Sequence, residues 1–283
     1  MSVGVFLAVL FAAFLHAAWN AAVRSEADRA VGMAAVVLGQ AISGLACMAF
    51  LPAPDAASWP WIVLGAALHL GYQLFLVAAY RIGDLSAVYP LARGLAPLLV
   101  AGASTAFLGA DLGTAGWAGV VLISCGLASL VIVRADGRHV RPSRSTAMAL
   151  GAGVFIAAYT LADGVGARIS GAPVAFFGWL TVLNAAAFFA ILPLWRPGAL
   201  GAVPAAWRTV LGGGGASFAA YAIAVWAFTQ APIALVAALR ETSILFALAI
   251  GVLVLKERLD LRRVAAACLT LLGAIALRAG RAP

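Results

Sequence analysis

Apolar stretches of about 20 residues recur along the whole chain, separated by short breaks of Pro, Gly and charge, and this pattern leaves few folds open. A helix of about 20 residues crosses a hydrocarbon core roughly 30 Å thick. The breaks place ten such spans near residues 3–23, 30–51, 60–80, 85–108, 113–133, 147–169, 173–194, 208–230, 232–255 and 262–278. The expected fold is therefore an all-α membrane protein of ten transmembrane helices. The first run, Val3 to Val23, has no basic segment before it and no cleavage site after it, so it reads as a retained helix and not as a signal peptide.

Composition agrees. Hydrophobic residues make up 65% of the chain and charged residues 10%, whereas soluble domains carry about a quarter charged residues. The net charge of +8 does not suggest nucleic acid, because the bases are scattered over short connections without interleaved aromatics. Cys47, Cys125 and Cys268 each fall inside an apolar span with no Cys or His neighbour at ligand spacing, and read as small buried hydrophobes.

The spans divide five and five around one basic segment, 134–145, which is the only convincing linker. Domains are accordingly expected at 1–133 and 146–283. Sliding the chain on itself by 147 residues aligns the fourth and fifth spans with the ninth and tenth without a gap, and superposes Arg93 on Arg240 and Gly126 on Gly273. Arginine within an apolar span is rare, so that coincidence carries more weight than the leucine and alanine matches around it. Five is an odd number, so the second half enters the bilayer upside down relative to the first. Two inverted five-helix repeats are the result, an architecture that recurs in secondary transporters with the substrate site between the repeats.

Three segments, Leu15-His-Ala-Ala-Trp-Asn20, Ala238-Leu-Arg-Glu-Thr-Ser243 and Lys256-Glu-Arg-Leu259, give the chain a resemblance to the drug/metabolite transporter superfamily, in particular its EamA-type ten-helix members. The first half departs from the pattern, because its corresponding turn reads Gly109-Ala-Asp-Leu112. The resemblance implies transport of small molecules such as amino acids, nucleotide-sugar-like compounds, polyamines or drugs, and a bacterial inner membrane location. It also implies that both termini lie inside. Counting bases gives the opposite orientation: thirteen Lys and Arg lie in the loops after the odd-numbered spans, against Arg168, Arg278 and Arg281 on the other side.

Polar groups inside spans are costly unless satisfied, so they face a cavity or each other. On the first span His16 and Asn20 share a face with Trp19 beside them, a substrate wall or an interhelical bonding surface. His69, Gln73, Leu76 and Tyr80 form a stripe on the third span. Tyr89 and Arg93 sit between Pro90 and Pro97 on the fourth, where both prolines free carbonyls and can bend the helix. Each of Arg93 and Arg240 lies roughly 12 Å into its span, too deep to snorkel, and needs an anionic partner. Glu241 and Asp163 are the acids placed to provide one, either as a fixed network or exchanged for a substrate carboxylate. Tyr159 and Asp163 on the sixth span, with Ser217 and Tyr221 on the eighth, complete the expected lining. Asp163 is also a candidate proton site. Gly212 to Gly215 suit close helix packing, and Asn184 suits a bond to a neighbour.

The expected function is a carrier, an exporter of small amphiphilic metabolites such as amino acids, working by alternating access as a monomer. A lipid-carrier flippase of the same superfamily shares this pattern. An intramembrane enzyme fits less well, because the chain has no HExxH, GxSxG, paired aspartates or phosphate-cradling loop. No cofactor is implied.

Overall fold

The structure, a computed structural model, describes residues 1–24, 28–82, 85–132, 144–253, 256 and 261–279. Side chains at 21–24, 79–82, 85–91, 131–132, 145, 195 and 262 lie outside that description. Tyr80, Tyr89, most of the expected linker and most of the Lys256–Leu259 turn therefore fall outside it.

Seven long helices follow the first seven apolar runs: α1 Val3–Arg24, α2 Arg29–Phe50, α3 Trp59–Ile82, α4 Leu85–Leu108, α5 Gly113–Ile132, α6 Arg144–Ile169 and α7 Pro173–Trp195. A short α8, Ala199–Ala202, and a 3-10 turn, Val203–Ala206, lead to a π-helical stretch, Thr209–Gly214, which continues into α9, Gly215–Gln230. The next apolar run is broken into α10, Ile233–Arg240, and α11, Ser243–Leu253, and α12 is Leu261–Ala279. Among the described residues, eight stretches are long and apolar enough to cross a bilayer. The side chains described for α4 begin at Ala92, and Ala92–Leu108 is apolar as well.

The outside of the bundle is apolar. Leu7, Phe11 and Phe14 of α1, Leu45 and Phe50 of α2, Phe107 of α4 and Leu271, Leu272 and Ile275 of α12 are all exposed. A continuous apolar perimeter of this kind needs lipid as solvent, and the chain is a multi-pass membrane protein. Cys125 and Cys268 belong to that perimeter and are exposed, contrary to the expectation of buried cysteines; only Cys47 is partly buried. In a bundle that faces lipid, an apolar span does not imply a buried side chain.

Helices approach closely where glycines remove side chains. A methyl on Gly39 of α2 would run into Val210 O and the Gly214 Cα, so the glycine run before α9 serves close packing, and the wider π turn lies at that crossing. α5 and α12 cross in the same manner: a methyl on Gly126 would sit 2.9 Å from Ala266 O, and one on Gly273 would sit 2.8 Å from Gly119 O. In addition, α3 packs on α6, α1 on α9, α2 on α7, and α4 on both α6 and α10.

The fourth span and its counterpart, the ninth, differ in continuity. α4 runs unbroken through Pro90 and Pro97, because a proline's missing donor and ring are tolerated where packed neighbours hold the helix. The interruption is in the following repeat, at Glu241 and Thr242, where no proline lies. There the amides of Glu241, Thr242 and Ile244 bond three residues back, to the carbonyls of Ala238, Leu239 and Glu241. These tighter 3-10 bonds end α10 and redirect the chain into α11.

Candidate functional site

Six helices, α1, α3, α4, α6, α9 and α10, and the break after α10 bring ionisable and aromatic side chains together inside the bundle. Arg93 of α4 is 9% exposed. Its Nε donates to Glu241 Oε2 at 2.7 Å and its Nη2 to Glu241 Oε1 at 2.8 Å, a two-pronged pair that occupies both carboxylate oxygens. Its Nη1 meets His16 Nε2 of α1. A guanidinium has donors only, so His16 Nε2 is the acceptor and the neutral ring carries its hydrogen on Nδ1.

Arg240, the counterpart of Arg93 in the 147-residue alignment, is placed quite differently. Its guanidinium carbon lies 4.5 Å from the centroid of the Tyr221 ring on α9, a cation–π geometry. Among the described residues it has no carboxylate partner.

Asp163 of α6 is fully buried. Its Oδ2 pairs with His69 Nε2 of α3 at 2.8 Å and accepts the Tyr221 hydroxyl at 2.7 Å. Its Oδ1 is buried with no hydrogen-bond partner among the described residues and faces Gly65 of α3, where any side chain would collide with it. His69 stacks on Tyr159, with ring centroids 4.0 Å apart and planes at 22°, and meets Tyr221 edge-on at 5.4 Å. Tyr221 thus joins two sites: its hydroxyl bonds Asp163 and its ring face carries Arg240.

A cleft opens between α4, α6 and α10. Arg93, Pro97, Ile156, Tyr159, Thr160, Arg240 and Glu241 line it, so charged, aromatic and aliphatic side chains share its surface.

The expected site residues divide into two groups. His16, His69, Arg93, Tyr159, Asp163, Tyr221, Arg240 and Glu241 form the connected cluster just described. Trp19 packs edge-on against His16 at 5.2 Å, and its indole nitrogen is buried with no hydrogen-bond partner among the described residues. The others are engaged elsewhere. Asn20 bonds back to His16 O of its own helix at 2.8 Å. Gln73 exchanges amide hydrogen bonds with Asn184 of α7, at 3.0 and 3.3 Å, so the polar stripe on α3 does not present a single face to the cleft. Ser217 accepts from Gln40 of α2 at 2.9 Å. The expectation that Asp163 would pair with an arginine is also corrected: α3 lies directly against α6 and delivers a histidine, while Tyr221 stands between Asp163 and Arg240.

Sequence reasoning missed Thr160 in the cleft wall and Arg168 as a tie between helices. Arg168 Nε and Nη2 donate to Phe228 O and Ala231 O, at 2.8 and 3.0 Å, and so cap the C-terminus of α9. Its place in the last turn of α6 made it look like a charge at a span end.

Comparison with known proteins bears on this arrangement. Residues 144–279 match the EamA-like transporter family. A solved crystal structure 20% identical in sequence superposes with a TM-score of 0.72, covering 96% of this chain and 94% of that one, a likeness of fold. Comparison with the curated proteins finds no match.

Proposed function

Because residues 144–279 match the EamA-like transporter family and the chain is a multi-pass membrane protein, we propose that the chain is a secondary carrier of small amphiphilic metabolites bearing a carboxylate, of about the size of an amino acid. The observation that carries this reading is Arg240. It is a cation on the wall of an interior cleft, at a break in its helix, with an aromatic ring beneath it and no acid beside it among the described residues. A substrate carboxylate supplies the missing anion, and the aromatic and aliphatic wall of Tyr159, Ile156 and Pro97 receives the apolar part. Arg93, held by Glu241, orients the rim and is not itself the primary anchor.

In this reading the carrier is built from two five-helix repeats, 1–133 and 146–283, joined by a basic linker and inserted in opposite senses. The helix pairing supports it. If each span is exchanged with the one five places on, the α3–α6 contact becomes the contact of α1 with α9. The contacts of α2 with α7, α4 with α10 and α5 with α12 map onto themselves. The glycine crossings support it further, because shifting Gly126 and Ala266 by the repeat gives Gly273 and Gly119, the partners found across the same interface. Such pseudo-symmetry provides two nearly equivalent states open to opposite sides, the basis of alternating access. Export across a bacterial inner membrane, by a monomer that holds a complete pathway, is the working form of the proposal.

The test is reconstitution of the purified protein in liposomes with a panel of labelled amino acids and other carboxylates, with and without a pH gradient. Wild type is expected to exchange at least one of them, and Arg240→Gln to lose that exchange. Equal rates in the two proteins would refute a role for Arg240, and no exchange of any panel member would refute the carrier.

A further inference from the structure

The charges around the cleft leave room for one proton. Arg93 and Glu241 cancel as a pair. Arg240 and Asp163 stand on either side of Tyr221 and balance each other across it, without touching. Asp163 Oδ2 already accepts the Tyr221 hydroxyl, so with the carboxylate ionised the hydrogen in its contact with His69 belongs to His69 Nε2. The imidazole is then neutral with Nδ1 bare. His69 is 15% exposed and has no further hydrogen bond among the described residues, so Nδ1 is the one nitrogen of this cluster able to take a proton.

With His69 neutral the cluster sums to zero, and an arriving carboxylate leaves it at minus one in a site shielded from water, which is costly. An ammonium group on the substrate does not restore the balance well, because no carboxylate oxygen is free to receive it in the cleft. Both oxygens of Glu241 are held by Arg93, and Asp163 Oδ1 lies sealed against Gly65. We propose that a net-anionic substrate binds at Arg240 together with one proton taken up by His69, so that the His69–Asp163–Tyr221 cluster couples carboxylate binding to proton uptake. This rests on the reading of Arg240 as the carboxylate anchor and narrows the substrate from amphiphiles in general to monoanions. The proton comes from hydronium in the surrounding water: one O–H bond of hydronium breaks, the N–H bond at His69 Nδ1 forms, and a water molecule is left. The imidazolium so formed remains in contact with Asp163, now as an ion pair, and the freed balance of charge at Arg240 belongs to the substrate.

Other ionisable groups face α6 from its neighbours. Tyr72 of α3 packs edge-on to Tyr159, Arg93 of α4 and Glu241 after α10 are mutually paired, and Asp55 lies at the far end, its amide bonded to Ser170 O. On α6 itself Arg168 bonds carbonyls, and α7 carries no ionisable side chain. None of these offers a bare acceptor beside Arg240, which leaves His69 as the proton acceptor.

Isothermal titration of purified wild type with phenylacetate, in two buffers of different ionisation enthalpy, counts protons taken up per ligand. About one proton per phenylacetate is expected, with affinity falling as pH rises, and phenylalanine binding at least about tenfold more weakly. Asp163→Asn removes the charge that opposes Arg240. It should bind phenylacetate at pH 8 about tenfold more tightly than wild type and with no proton uptake, a gain that simple misfolding cannot produce. His69→Gln should bind weakly and without pH dependence. Phenylacetate binding with no proton uptake and a flat pH profile, or tighter binding of phenylalanine, overturns the coupling while the carrier stands. If neither ligand binds wild type, both readings fall.

Discussion

Arg93 and Arg240 occupy the same position in two aligned segments, yet the chain treats them in opposite ways. Arg93 sits in an unbroken helix, is buried, and has both arms of its fork on a carboxylate. Arg240 ends a helix, is only partly buried, and rests on a tyrosine ring. The cause is one residue. Where the second segment has Glu241, the first has Gly94, so two equivalent arginines share a single acid. That acid pairs with Arg93 of α4, and its own neighbour Arg240 has no carboxylate partner among the described residues. Two aligned arginines thereby become one structural tie and one cation resting on an aromatic ring.

The largest effect should come from breaking the tie. Glu241→Gln removes the carboxylate that both arms of the buried Arg93 hold and is expected to cost about 3–5 kcal/mol, read as a lowered midpoint in thermal unfolding of the detergent-solubilised protein. Arg240→Gln should cost less than about 1 kcal/mol in the same assay while removing ligand binding; equal losses from the two substitutions would erase the distinction between the arginines. Next, Gly126→Ala and Gly273→Ala each press a methyl against the facing backbone, and each should cost about 1–3 kcal/mol. The two costs should agree, because the crossings are images of each other, and a large inequality would argue against the repeat. Tyr221→Phe removes one hydrogen bond to a buried carboxylate and should cost about 1.5–3 kcal/mol, with weaker retention of ligand at Arg240.

The smallest effect lies away from both arginines, at the membrane edge. Asp28 caps α2 through Oδ1, which accepts from the amides of Ala30 and Val31, and bonds Arg196 through Oδ2 at 2.6 Å. The hydrogen bond from Arg196 is the first cause holding this carboxyl below the usual aspartate range, although burial opposes it. A lowered value in the folded state stabilises above the unfolded-state value and is lost as pH falls through the folded one. Asp28→Ala should therefore cost about 1 kcal/mol near neutral pH, mostly the helix cap, and the difference from wild type should shrink in acid. A pH-independent difference would mean that the cap alone accounts for it.

Much of the architecture was legible in the residue order, because a bilayer imposes a length on every apolar run and a helix is the form in which a single run satisfies its own backbone. The Arg93/Arg240 and Gly126/Gly273 matches were legible for the same reason: polar or missing side chains stand out against an apolar background. Pairing was not. Whether His69 or an arginine met Asp163, whether Gln73 faced the cleft or Asn184, and which arginine kept Glu241 all depend on which helix faces lie together, and one helix's periodicity says nothing of its neighbour's rotation. The helix break at Glu241 was equally hidden, since it follows from packing and not from a proline. By itself the sequence determined a multi-pass helical membrane protein with two arginines in matching positions. Only the tertiary structure decided that one is tied and the other is available, because a buried charge takes its character from the groups that surround it in space.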